Sequence, residues 1–233
     1  MTKQHLISYF FMFGFLFFSR AFTPFFEALP SDLASTIFTP ISLIIYLISF
    51  FLLLRSKVTL LNLVTMNIFP LLICSVAFLS SLYSFNMMAS LQKSFALFGG
   101  LLFAAALVMS FNKTEAIDIF LKPMFLALLV SLFVSIFIPS IGLDDGLNDP
   151  DHLGLWQGVF GFKNNLGRTT TFFLLVIFSQ YMLGLRYKWF VWLLPIFLLI
   201  MSKSTTPLIG LLTVMGLIVY LNSLNKIERG FKI

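Results

Sequence analysis

The chain has 233 residues, of which 59% are apolar and only 10% charged, and its mean hydropathy is +1.01. Soluble domains hold about 45–50% apolar and about 25% charged residues, so a water-facing globule is excluded. The net charge of +6 fits loop cations that set membrane topology better than a nucleic-acid surface, and a single Cys74 excludes disulfides and a cysteine-rich metal site.

In chain order, about eight apolar runs are long enough, or nearly so, to cross a hydrocarbon core of about 30 Å. They cover residues 6–19, 37–54, 58–82, 94–111, 117–138, 166–185, 189–201 and 205–221. The first and seventh are short. Arg20, Phe22 and Phe25 follow the first run, where a signal peptide needs small residues, so it reads as a retained helix. Lipid obliges the backbone to bond within its own segment, and these runs are too long and uniformly apolar for barrel strands. The expected fold is therefore all-α: a single polytopic membrane domain over residues 1–233, a helical bundle of about eight transmembrane helices. Pro70, Pro123, Pro195 and Pro207 fall where they kink or start helices. No internal repeat is evident, so an inverted-repeat transporter gains no support.

Cations sort unevenly over alternate loops. Lys3, Arg55, Lys57, Lys113, Arg186, Lys188, Lys226, Arg229 and Lys232 share one side, and Arg20, Lys93, Lys163, Arg168 and Lys203 the other. Lys122 belongs to neither. The richer side is cytoplasmic by the positive-inside tendency, which puts both termini in the cytoplasm. Glu27, Asp32, Asp144, Asp145, Asp149 and Asp151 then fall outside.

The longest outer loop runs over residues 138–168. In its first half, Asp144-Asp145-Gly146 and Asn148-Asp149-Pro150-Asp151 read as consecutive turns. Four aspartates there could hold Ca²⁺, but the spacing is not that of an EF-hand, and a solvated acidic turn is the plainer reading. His152 is an acid, base or metal-ligand candidate, or simply a solvated histidine. In the second half, Trp156 and Phe160 are expected at the membrane interface, and Gly158, Gly161 and Gly167 permit close approach or positive φ. Lys163 and Arg168 would lie at the N-terminal end of the next helix, where free amides and the dipole favour an anion. Two readings stay open: snorkelling interface cations, or a phosphate or diphosphate site at the outer face.

The stretch WQGVFGFKNNLGR (156–168) resembles the Trp-(Arg)-Gly-x-Phe-x-His-Lys-Asn-x-Leu-Gly signature of the bacterial O-antigen ligase and polymerase family, especially its exopolysaccharide polymerase branch. SLYSFNMMASLQKSFALFGGLLFA (81–104), IPSIGLD (138–144) and MSKSTTPLIGLL (201–212) are similar to other family segments in the same order. Together they cover residues 81–212. Lys163, Asn164, Leu166 and Gly167 match the signature. Phe162 stands in its histidine slot, Gln157 replaces an arginine, and Lys203 is shifted from the usual cation slot, which Thr205 occupies. The chain also ends before the large outer loop of the family, so it resembles an N-terminal portion.

The resemblance implies transfer or polymerisation of undecaprenyl-diphosphate-linked glycans at the outer face of the bacterial cytoplasmic membrane, in exopolysaccharide or lipopolysaccharide assembly. A metal-independent glycosyltransferase of this type needs cations and amide donors around the departing diphosphate. The residues implied for substrate binding are Lys163, Asn164, Asn165, Arg168, Trp156 and Lys203, with His152 as the one candidate base. No metal and no cofactor are implied. The implied partners are the lipid-linked glycan, the bilayer and other polysaccharide-assembly membrane proteins, and not nucleic acid. Two alternatives remain. One is a non-catalytic or truncated subunit or remnant, which the ending and Phe162 favour. The other is a transporter or flippase, for which Lys122, Asn67 and Gln180 are the few polar candidates at membrane depth. Soluble catalytic motifs such as GxSxG, a P-loop or HExxH are absent.

Overall fold

The computed structural model describes residues 3–21, 23–24, 31–56, 68–147 and 149–230, without the side chains of 3, 31–35 and 225–230. Phe22, Phe25, Glu27, Lys57, Asn67, Asn148, Lys232 and the first part of the expected 58–82 span lie outside the described residues. So do the side chains of Lys3, Asp32, Lys226 and Arg229.

Among the described residues the chain is all-helical, 83% helix without a strand. The helices are α1 (Lys3–Phe18), α2 (Ser31–Arg55), α3 (Ile68–Ser81), α4 (Met87–Ser110), α5 (Lys113–Phe137), the short α6 (Pro139–Gly142), α7 (Lys163–Met182), α8 (Trp189–Ser202) and α9 (Thr205–Gly230). Among the described residues, four stretches are long and apolar enough to cross a membrane: Thr36–Arg55, Met87–Ser110, Lys113–Phe137 and Thr205–Leu224. At 1.5 Å per residue they reach about 30 to 37 Å. Gln4–Phe18, Ile68–Ser81 and Trp189–Ser202 are apolar but shorter, reaching only about 21 to 23 Å.

The count of about eight spans is therefore not confirmed among the described residues. The expected 166–185 span fails for a clear reason. Its helix begins at Lys163, three residues earlier than expected, and opens on KNNLGRTTT, so its first half is polar. Pro123 and Pro195 lie inside α5 and α8, as does Pro40 inside α2. Pro70 and Pro207 occupy the third positions of α3 and α9, where a missing N–H costs no helical bond.

The chain divides into two compact units, Pro30–Ala116 and Met1–Leu29 with Ile117–Ile233. In the first, α4 packs on α2 and α3. The Tyr46 ring lies on the α4 backbone at Gly99, where an added Cβ would come within 2.5 Å of it. The Ser94 hydroxyl donates to the Ala77 carbonyl across α3 and α4 at 3.0 Å. In the second, α7 packs against both α8 and α9. Its core joins Met124 and Leu128 of α5, Leu166, Phe173 and Ile177 of α7, Leu198 of α8 and Phe160 of the preceding loop. The α1 residue Phe15 meets Phe120 of α5 edge-on at 5.2 Å.

Candidate functional site

The loop between α5 and α7 is tied down by its own carboxylates and by small residues. Asp144, Asp145 and Asp149 each accept the N–H two residues on, at 3.0 to 3.1 Å, so these side chains close the turns that they sit in. Leu143 and Trp156 form an antiparallel bridge. The Gln157 amide donates to the Ile141 and Leu143 carbonyls, both at 3.1 Å. Gly158 has φ +58, and a Cβ there would lie 2.5 Å from that of Ser131. The loop thus reaches the α5 surface only with a hydrogen at this position, and Val159 N–H then donates to the Ser131 hydroxyl at 3.3 Å.

The structure rearranges several expectations. Phe160 is fully buried, because the loop folds back over the core. Trp156 stacks its edge on Phe197 of α8 at 5.5 Å and serves packing there. His152 is not a solvated histidine. Its side chain is only 15% exposed, with Nε2 3.3 Å from the Asp149 carboxylate and Nδ1 3.9 Å from that of buried Asp144. Its ring meets Phe162 edge-on at 5.6 Å, and Nδ1 is buried without a hydrogen-bond partner. Lys122, considered above as a polar residue at membrane depth, pairs with Asp118 one turn away at 2.9 Å.

The motif residues of α7 fall on two faces. Lys163 is the first residue of the helix and Arg168 the sixth, so at 100° per residue they point about 140° apart. Arg168 also lies in the second turn, past the terminal amides, where the dipole has largely faded. On one face, the Ser204 hydroxyl donates to the Lys163 carbonyl at 3.0 Å and to Asn164 Oδ1 at 3.2 Å. Lys203 is adjacent to Ser204 and holds a left-handed conformation, φ +47, at the end of α8. On the other face, buried Asn165 is fixed at both ends of its amide. Its Nδ2 donates to the Phe160 carbonyl at 3.2 Å, and its Oδ1 accepts from the Arg168 guanidinium. Asn165 therefore aims Arg168.

Asn165 and Arg168 open onto a cavity of about 790 Å³, within the range of about 300 to 1,000 Å³ usual for small-molecule sites. Asn165, Arg168, Thr169 and Phe172 all line it; their i, i+3, i+4, i+7 spacing is one stripe of α7. Phe15 and Phe120 supply an apolar wall, continued by the edge-on contact of Phe120 with Phe172 at 5.4 Å. Arg20, just past α1, also lines the cavity. Of the expected binding residues, only Asn165 and Arg168 line it; Lys163, Asn164, Trp156 and Lys203 do not. Sequence reasoning counted Arg20 only as a topogenic loop cation, since nothing local ties it to residue 168. The α7 stripe was legible in principle from its helical spacing. Arg20, Arg168, Lys163 and Lys203 form no ion pair with a described carboxylate.

In comparisons with known proteins, no family model matches this chain, and no curated protein or solved structure matches it.

Proposed function

We propose that the chain binds a lipid-diphosphate-linked glycan in the α1/α5/α7/α9 cavity and serves its transfer or polymerisation at the outer face of a bacterial cytoplasmic membrane. The observation that carries this reading is the composition of one cavity. Arg168, aimed by Asn165, lines it together with an aromatic wall from Phe15, Phe120 and Phe172. An amphiphile with an anionic head and a hydrocarbon tail matches both parts, and Asn165 and Arg168 sit beside the signature-matching residues Asn164, Leu166 and Gly167 on α7. The cation asymmetry over alternate loops supports cytoplasmic termini and an outward loop at 138–168.

In the proposed reaction an acceptor hydroxyl attacks the anomeric carbon of the lipid-linked sugar. The new C–O bond forms as the bond to the diphosphate oxygen breaks, and that oxygen leaves with the electron pair. The acceptor proton passes to a base. Charge gathers on the departing diphosphate, where a fixed guanidinium is worth more than in water. Arg168 takes that role here, and His152 does not line the cavity. The chain is thus assigned the donor-binding half of the reaction. The test is binding of a short-chain polyprenyl-diphosphate sugar to the purified chain in lipid nanodiscs. Arg168→Ala is expected to weaken it about ten-fold or more, as loss of a charged hydrogen bond does. Equal affinity in the two proteins would overturn the reading.

A further inference from the structure

We infer that Arg20 is the second guanidinium of this head-group site and makes the cavity select a diphosphate diester over a phosphate diester. The inference rests on the proposed binding of a lipid-linked glycan and adds to it a residue and a specificity.

The first observation is conformational. Arg20 has φ +64. Its N–H donates to the Phe17 carbonyl at 3.1 Å, and the Ala21 N–H to the Leu16 carbonyl at 3.1 Å. That pair of bonds is a Schellman cap, whose left-handed residue is usually glycine because a Cβ is strained there. The Thr23 hydroxyl closes the turn onto the Arg20 carbonyl at 2.6 Å. An arginine in a glycine position carries strain that the cap itself does not need. A glycine would meet no such strain, so the cap alone does not account for an arginine at this position.

The second observation is what it reaches. Arg20 and Arg168 line the same cavity, although 148 positions separate them. Two cations facing one cavity repel each other unless an anion lies between them. A sugar phosphate diester carries one negative charge, and a sugar diphosphate diester carries two. Each guanidinium presents a planar fork of donors suited to one phosphoryl group. Two forks therefore match two phosphoryl groups, whereas a single phosphate leaves one fork unpaired.

The test uses the full chain in nanodiscs and two probes, farnesyl diphosphate glucose and farnesyl phosphate glucose. Four proteins are compared: wild type, Arg20→Gly, Arg20→Asn and Arg20→Lys. Wild type should prefer the diphosphate probe by about ten-fold or more. Arg20→Gly and Arg20→Asn keep a residue at home in the left-handed turn, so their melting temperatures should equal or exceed that of wild type. Both should lose most of the preference, through weaker diphosphate binding with little change for the monophosphate. Arg20→Lys should recover only part of it. If wild type binds the diphosphate tightly and the Gly and Asn variants keep the full preference, the role of Arg20 is refuted and the binding reading stands. If wild type binds neither probe, the binding reading fails and this inference with it.

Discussion

Gly167 is the point where α7 lets the start of α9 come close, and replacing it tests that packing. A Cβ at Gly167 would lie 2.6 Å from Ser204 Cβ, 2.8 Å from its Oγ and 3.1 Å from Pro207 Cγ. Ordinary carbon contacts sit at about 3.5 to 4.0 Å, so the helices must part by about 1 Å. Overpacking of this kind costs about 1–3 kcal/mol. The Ser204 hydroxyl, which now holds Lys163 and Asn164, would lose its geometry at a further cost of about 1 kcal/mol. The better helix propensity of alanine returns about 1 kcal/mol, so Gly167→Ala should destabilise by about 1–3 kcal/mol. Gly210 is the internal control, because a Cβ there meets nothing within 4 Å. Gly210→Ala should be neutral or stabilise by up to about 1 kcal/mol. Reversible unfolding in mixed micelles, followed by helical circular dichroism, measures both. Equal stability of the two variants would refute the α7–α9 contact as described.

Three further outcomes follow from single residues. Gly210→Leu places a side chain into the cavity from a position with open space; it should leave unfolding stability intact and abolish binding of a polyprenyl-diphosphate sugar, and undiminished binding would count against the cavity. Lys203→Gly relieves a left-handed backbone and should hold or raise stability by up to about 1 kcal/mol, measured by the same unfolding assay. Burial and, second, the Asp118 carboxylate raise the Tyr187 phenol above its ordinary 10.0. Its contribution is then intact below pH 10 and is lost as pH rises through the folded value, so Tyr187→Phe should lose less stability than wild type between pH 9 and 11.

The helical class was legible because hydropathy and run length report directly on the solvent that a segment meets. The turns at Asp144 and Asp149 were legible for the same local reason, since each aspartate bonds an N–H two residues away. Long-range placement was not. Lys163 and Arg168 are near in sequence and looked like one charged cluster, yet a helix of 3.6 residues per turn sends them to different faces. Arg20 is remote in sequence and joins Arg168 only because α1 docks on α5 through Phe15 and Phe120. His152 looked solvated beside a polar turn, but the loop folds its ring against Phe162 and between two carboxylates. The extent of α7 was misjudged because hydropathy discounts its polar opening turns, which are helical through bonds such as Asn165 N–H to the Phe162 carbonyl at 3.0 Å.

The central claim, that an anionic amphiphile occupies the α1/α5/α7/α9 cavity, is tested most directly by photolabelling. A polyprenyl-diphosphate sugar with a diazirine in its first isoprene unit would be bound to the chain in nanodiscs, irradiated and mapped by peptide mass spectrometry. The account predicts adducts on the aromatic wall at Phe15, Phe120 and Phe172, competed by unlabelled ligand and lost in Arg168→Ala. Adducts confined to α2, α3 and α4, or wall adducts that Arg168→Ala leaves unchanged, would contradict it.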